Sequence, residues 1–562
     1  MVHIQDLPRE LLLQIFSSVA HSNPSNPQDQ TTKSPDESAE TKSQQPPADR
    51  LFPRSPWVAE DEDDETDETD EEDPGNNGKG VSAQTQEIID LYNLCRVCHL
   101  FRGLAQPLLF EHVDLSGFPG DLRNLVSITR AVLRRPSLGE HIRSLSVLPD
   151  HNHHVFHKSP QPLTANDRKL FTSSIRDLRL DKEDERDWMT VLKEEEFDYS
   201  LMVVLLILKA PNLRMLTLAG GYFAMKPLEQ AWKRHPAILS KLEDLWFEGD
   251  DLLKGYPLAI YEEMISRLQL RSIDIEEAHL SDDLFPACWT PQSLTMSRIG
   301  LHLCHIDAPS VTKLLRACRT VTSFTYDNFT TDPEDQPHNL RPVREPTAPE
   351  LSAALLPHKD TLEGLTMTWN REPWERENIQ DYVARQAKIG PLGDFSVLRR
   401  LTVQQAFLPP QPQFPPTLEK LIVEDCNISV RGLAEQLAQE RRQGRLPALK
   451  SVKMLAVDIT DPVKLPGQQI PFGQTPEQCC TSIKDMFKDT SVDFDILPYP
   501  DCPQNIAGDS DLDDYSDDDP YDMTDEYGLL GLREGGNSIF QAMLMQAMQA
   551  QGDHYMDDEF DE

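Results

Sequence analysis

Leu242-Glu243-Asp244-Leu245-Trp246-Phe247 is the stretch on which the reading of this chain turns. It has the form L-x-x-L-x-L. Apolar residues two apart share one face of a strand, and the residues between them point the other way. With aliphatic or aromatic substitutes the phrase recurs as Ile142-Leu145-Val147, Leu213-Leu216-Leu218, Leu270-Ile273-Ile275 and Val321-Phe324-Tyr326. Further along come Leu362-Leu365-Met367, Leu398-Leu401-Val403, Leu418-Leu421-Val423 and Leu449-Val452-Met454. From Leu213 onward the intervals are 29, 28, 51, 41, 36, 20 and 31 residues, and the interval of 51 is expected to hide a further copy near Leu294–Leu303. Helix-like stretches precede several copies: Leu201–Lys209, Ser310–Cys318, Leu351–His358 and Val430–Arg441.

A strand-plus-helix unit repeated in this way resembles a leucine-rich repeat, whose units bury their faces only against neighbours. The expectation is an α/β chain with an irregular leucine-rich-repeat solenoid over 116–460 and a cap over 461–500. An ordinary α/β sheet protein stays open as the alternative, because the intervals are irregular and the repeat asparagine is missing.

Charge is placed unevenly. The net is −40, from 54 basic and 94 acidic residues in 562. Glu60–Asp73 holds 12 acids and no base, and Asp501–Glu562 holds 18 acids with Arg533 as its one base. Phosphate contacts need a basic face, so the balance argues against a nucleic-acid partner. The longest apolar run, the 8 residues Leu201–Leu208, is far short of the ~20 that a membrane helix needs. Asp6 and Glu10 stand where a secretion signal would carry bases. The expected location is therefore cytoplasmic and/or nuclear, with nine cysteines as free thiols. Residues 21–85 and 501–562 lack the apolar content to offset chain entropy and are expected to be disordered and acidic. Within the second, Ser538-x-x-Gln541 opens a short amphipathic helix over 538–551.

No catalytic string is present: no G-x-G-x-x-G, G-x-S-x-G or H-E-x-x-H. Cys95-Arg-Val-Cys98-His99 spells the haem-attachment string, but its thiols sit on an apolar helical stripe and no second pair completes a zinc site. His151, His153, His154 and His157 read as a surface loop. The proline-rich runs 342–349 and 409–416 read as connections. Gly75–Gly80 has the wrong glycine spacing for a phosphate loop. No catalytic, cofactor-binding or metal-binding residue is assigned; a non-catalytic binding subunit is expected.

Two N-terminal segments carry a second resemblance. Ile4-Gln-Asp-Leu7-Pro8-Arg-Glu10-Leu11-Leu12-Leu-Gln-Ile15-Phe16 is similar to the opening of an F-box. Leu94-Cys95-Arg-Val97-Cys98-His-Leu-Phe101-Arg-Gly-Leu104-Ala105-Gln-Pro107-Leu108-Leu109-Phe110 is similar to its closing half. The F-box would comprise 1–20 plus 86–115, split by the insertion 21–85. Its second stripe is expected to stop at Pro107, with a strand over Leu108–Leu115. An insertion there is tolerable, since doubling a loop costs only ~0.6 kcal/mol.

An F-box followed by degenerate leucine-rich repeats resembles the substrate receptors of SCF-type ubiquitin ligases. The resemblance implies docking to a Skp-family adaptor, and through it to a cullin and a RING subunit. By motif position the adaptor face would include Leu7, Pro8, Leu11, Leu12, Ile15, Leu94, Val97, Cys98 and Phe101. An unidentified protein substrate would meet the outward face of the strands. Strand alternation places Asp244, Trp246, Glu248, Asp274, Glu276 and Asp327 there in early repeats, and Arg400, Thr402, Lys420, Glu424 and Lys453 in later ones. A basic partner segment anchored on Trp246 is the corresponding expectation. The competing readings are an acidic repeat binder or chaperone of basic proteins such as histones, and an F-box scaffold outside any ligase.

Overall fold

The structure is a computed structural model. It describes residue 91 and residues 93–115, 123–148, 163–193, 199–221, 223–249, 256–328, 344–369, 387–426, 430–456 and 476–498. The chain divides into two compact units, Met1–Gln106 with Leu532–Gln546, and Pro107–Gly531 with Ala547–Glu562.

The described strands of the second unit are β1 (His112–Asp114), β2 (Ser144–Val147), β3 (Met215–Ala219), β4 (Asp244–Glu248) and β5 (Tyr256–Pro257). Next come β6 (Ser272–Glu276), β7 (Ala278–Leu280), β8 (Arg298–His302), β9 (His305–Ile306) and β10 (Ser323–Asn328). The series closes with β11 (Gly364–Trp369), β12 (Arg400–Gln404), β13 (Lys420–Cys426), β14 (Ser451–Ala456) and β15 (Asp493–Pro498).

Twelve of these form one sheet in the order β1-β2-β3-β4-β6-β8-β10-β11-β12-β13-β14-β15. Every pair in it is parallel. The three short strands left over, β5, β7 and β9, make a second parallel sheet. Within each sheet the neighbours therefore follow chain order. The fold is mixed α/β around one large parallel sheet.

The register shows why the phrase works. Its middle apolar position forms a continuous buried row through Leu216, Leu245, Ile273, Ile299, Phe324, Leu365, Leu401, Leu421 and Val452. Its last position forms a second row through Leu218, Phe247, Ile275, Leu301, Tyr326, Met367, Val403, Val423 and Met454. Val203, Leu314, Leu351 and Leu437, from helices between strands, join the same core. The helix Tyr199–Leu208 is apolar on every side, and Leu201–Ile207 are all buried; such all-round hydrophobicity belongs to an enclosed helix. Elsewhere the helix starts are set locally. Asp307 accepts from the Ser310 amide at 2.8 Å, and Thr347 with Glu350 forms a capping box.

The hidden copy is Met296-Ile299-Leu301, whose last two residues lie on β8. Phe110-Val113-Leu115 is another, with Val113 on β1. The strand expected over Leu108–Leu115 is confined to His112–Asp114, because the helix His99–Leu109 runs through Pro107. Pro107 cannot donate to the Gly103 carbonyl, and the helix ends two residues later. Beyond residue 461 the expected cap region holds the helix Pro476–Asp485 and β15, which adds a strand to the sheet. Ser491 stands where the first apolar residue of the phrase would be, so this copy escapes the pattern.

After several strands the backbone turns in the same way. Glu277, Leu303 and Asp425 have φ of 55°, 51° and 49°, left-handed values that side chains other than glycine seldom adopt. The residue that follows is Ala278, Cys304 or Cys426 in turn. The Cys304 thiol donates to the Ile275 and His302 carbonyls at 3.3 and 3.2 Å, and the Cys426 thiol to the Val423 carbonyl at 3.2 Å. Buried thiols thus satisfy carbonyls at these turns. Burial pushes the Cys304 thiol up to about 12.

Candidate interaction face

The face of the large sheet opposite the core consists of the residues between the buried rows. One row runs Thr217, Trp246, Asp274, Gly300, Thr325, Thr366, Thr402, Ile422 and Lys453 by strand register. The next runs Glu276, His302, Asp327 and Thr368. Early strands supply acids and an aromatic, and later strands supply Arg400, Lys420 and Lys453, all exposed.

Strand alternation put six early residues on this face, and the structure divides them. Asp244, 8% exposed, and Glu248, 6% exposed, are not displayed. Asp244 is held by Arg271, whose Nη2 lies 2.7 Å from Oδ2, and by the Ser272 hydroxyl, which donates to Oδ1 at 2.6 Å. Both partners belong to the next copy of the phrase, so this carboxylate joins β4 to β6 instead of facing a partner. Trp246, Asp274, Glu276 and Asp327 remain half-buried on the face. The Trp246 indole N–H is covered and has no hydrogen-bond partner among the described residues.

Asp274 and His302 converge over Gly300. The His302 Nε2 lies 3.7 Å from the Asp274 Oδ1. A Cβ on Gly300 would come within 2.1 Å of that oxygen and 2.8 Å of that nitrogen. Glycine here provides the space in which the two side chains lie across the sheet. On the far side of His302, the Thr368 hydroxyl donates to the Asp327 Oδ1 at 3.0 Å.

Burial disfavours the His302 imidazolium, but the neighbouring carboxylate of Asp274 and the charges of Asp327 and Glu276 outweigh it, so its pKa lies above the ordinary histidine value. Burial lifts the Asp327 carboxyl above its usual range, against the opposing pull of His302 and Thr368. The arrangement is a carboxylate–imidazole–carboxylate line beside an indole. It suits a cationic, hydrogen-bonding ligand better than an anionic one.

The sequence reading missed Gly300, His302 and Thr368. Had the copy at Met296-Ile299-Leu301 been aligned with its neighbours, His302 would have fallen level with Glu276 and Asp327. Thr368 follows Met367 as Asp327 follows Tyr326, so the same alignment would have placed it in this row.

At the N-terminal end, Leu94 and Cys98 are half-buried, Val97 is 62% exposed, and Phe101 is 7% exposed. Leu100, beside them, is 42% exposed. The Phe101 amide donates to the Cys98 sulfur at 3.5 Å. Burial pushes the Cys95 thiol up to about 11, with Arg102 opposing. Leu7, Pro8, Leu11, Leu12 and Ile15 lie outside the described residues, as do the histidine group at 151–157 and the segment 538–551. Among the described residues no three His, Cys, Asp or Glu side chains are grouped to hold a metal ion, and no helix is long and apolar enough to cross a membrane.

Comparison with known proteins returns no matching family model and no matching curated protein.

Proposed function

We propose that this chain is the substrate-recognition subunit of an SCF-type ubiquitin ligase, with a split F-box that docks a Skp-family adaptor and a leucine-rich-repeat solenoid that binds the target. The observation that carries the reading is the large parallel sheet, whose strands pair in chain order and grow from one recurring phrase. An open α/β sheet of the doubly wound kind reverses its strand order at a switch point, and this order does not reverse. Cys304 and Cys426 follow the last apolar residue of their phrase by three, where leucine-rich repeats use Asn or Cys. The F-box half of the proposal rests on the sequence around Leu7-Pro8 and Leu94–Phe110.

The chain contributes position instead of chemistry. Holding a target beside a ubiquitin-loaded enzyme raises the local concentration of its lysines. Trp246, Asp274, Glu276 and Asp327 would take a basic segment of that target, its cation over the indole and its donors on the carboxylates.

The test is co-purification of the adaptor and cullin with the wild-type chain and with Leu7→Asp/Leu12→Asp. Capture by the first and not the second is the expected result, and capture by neither overturns the ligase reading. The acidic outward half of the early strands favours one second reading, a binder of basic proteins such as histones that works without the F-box. Salt-sensitive histone binding, undiminished in the Leu7→Asp/Leu12→Asp chain, is its signature.

A further inference from the structure

The later strands of the sheet bring cations to the outward face, alongside Glu424 on β13 and Asp493 and Asp495 on β15. Arg400 on β12 and Lys420 on β13 are register partners, and Lys453 lies on β14 one row further along. All three are exposed. Neighbouring strands are ~4.8 Å apart, and residues two apart along a strand are ~6.6 Å apart. The three cations therefore sit within roughly 12 Å of one another.

Of the acids nearby, Glu424 shares β13 with Lys420 and the exposed Asp493 stands in its register row, while two others pair elsewhere. Glu419 holds Lys450 at 2.6 Å, and Asp495, the register neighbour of Lys453, holds Lys484 at 2.6 Å. Lys420 and Lys453 have no ion pair among the described residues. Parallel strands of one sheet present these cations side by side, an arrangement that suits an extended anionic segment.

Such a segment follows the last strand. Asp509–Glu526 holds 10 acids and no base in 18 residues, with Asp509, Asp511 and Asp513 alternating. It lies outside the described residues. In an extended chain alternate residues are ~6.6 Å apart on one side, commensurate with the cation spacings. The chain leaves β15 at Pro498, next to β14 and three strands from β12. That is about 20 Å from the far cation, counting both the strand spacings and the strand length. Eleven residues separate Pro498 from the end of Asp509, and eleven residues can span up to about 36 Å. No strained path is needed.

We infer that the acidic segment Asp509–Glu526 docks in cis on the outward face of β12–β14, against Arg400, Lys420 and Lys453, and excludes other anionic partners from that half of the sheet. The inference rests on charge and connectivity within the second unit and does not depend on the ligase reading. Tethering supplies an effective concentration of about 1 mM, so a segment with an intrinsic Kd near 100 μM would weaken a competing anion about tenfold.

Zero-length carbodiimide coupling of the full chain, read by peptide mass spectrometry, tests it. The expected result is amide links from Lys420 and Lys453 to acids of 509–526 in the monomer fraction, lost in ~0.5 M salt as screening shortens to a few ångströms. Links that spread evenly over other exposed lysines such as Lys182, Lys241 and Lys313, or that occur only between chains, overturn it. A second measurement uses a fluorescein-labelled ten-residue polyglutamate peptide. Changing the ten acids of 509–526 to their amides should tighten its binding about tenfold, and adding Lys420→Glu/Lys453→Glu should abolish that gain. Equal affinity of the wild-type and amide chains refutes the docking.

Discussion

Replacing Gly300 by alanine separates the local electrostatics of the outward face from the stability of the sheet. The new Cβ would arrive 2.1 Å from the Asp274 Oδ1 and 2.8 Å from the His302 Nε2, whereas ordinary contacts begin near 3.4 Å. Both obstacles are ends of half-buried side chains, so Asp274 swings away and the backbone stays. The lost pairing of two partly solvated groups costs about 0.2–1 kcal/mol. The backbone of Gly300 is not left-handed, so alanine also recovers about 0.4–1 kcal/mol by restricting the unfolded chain. The two nearly cancel, and the net change should stay below about 1 kcal/mol.

The pKa of His302, by contrast, should fall, because its first carboxylate partner has moved away. A histidine raised in the folded state gives stability that is complete below its unfolded value, near 6.5, and is lost as pH rises through the folded value. In Gly300→Ala that pH-dependent component should shrink. Asp327, also raised, adds its contribution on the acid side in both chains. The assay is titration of 13C-labelled histidine by NMR, paired with urea unfolding at pH 5.5 and 8. An unchanged His302 titration, or a loss of several kcal/mol at both pH values, would refute the reasoning.

Arg271→Ala should cost more than a surface ion pair, about 2–3 kcal/mol in urea unfolding, because it strands the mostly covered Asp244 carboxylate with Ser272 alone. In an Asp244→Asn background the same change should cost clearly less, which a double-mutant cycle measures. Gly139→Ala should be among the worst substitutions in the chain. Its Cβ would fall 1.9 Å from the Lys209 carbonyl oxygen, a backbone atom that cannot rotate aside, and a fall in Tm of several degrees is expected. In the native state Cys288, which is exposed, should react with iodoacetamide well before Cys304, Cys318 and Cys426, which are buried with their thiols pushed up. Comparable rates at Cys288 and Cys304, read by mass spectrometry, would contradict the buried turn.

What was legible in the sequence is what period and composition encode locally. The alternation of apolar and polar residues in Leu242–Phe247 and its relatives is enough to mark strands, their buried face and their order along the chain. The helices at Tyr199–Leu208, Ala308–Ala317, Ala348–Leu355 and Val430–Arg442 fell where the intervening pattern put them. Substituted copies at Met296 and Ser491 blurred the pattern, because a neighbour in the sheet can supply the burial that a weak phrase does not encode.

Which outward residues meet solvent is a different kind of question. Asp244 and Asp274 both flank the middle apolar residue of their phrase and point outward, yet one is clasped by Arg271 and Ser272, and the other lies over Gly300 against His302. Each of those partners comes from the following strand, more than 20 residues on, and only parallel stacking in register brings it within reach. Alternation along one strand settles the direction of a side chain. Its burial, its partners and the pKa shift that follows are set by the strand beside it, so they belong to the tertiary structure.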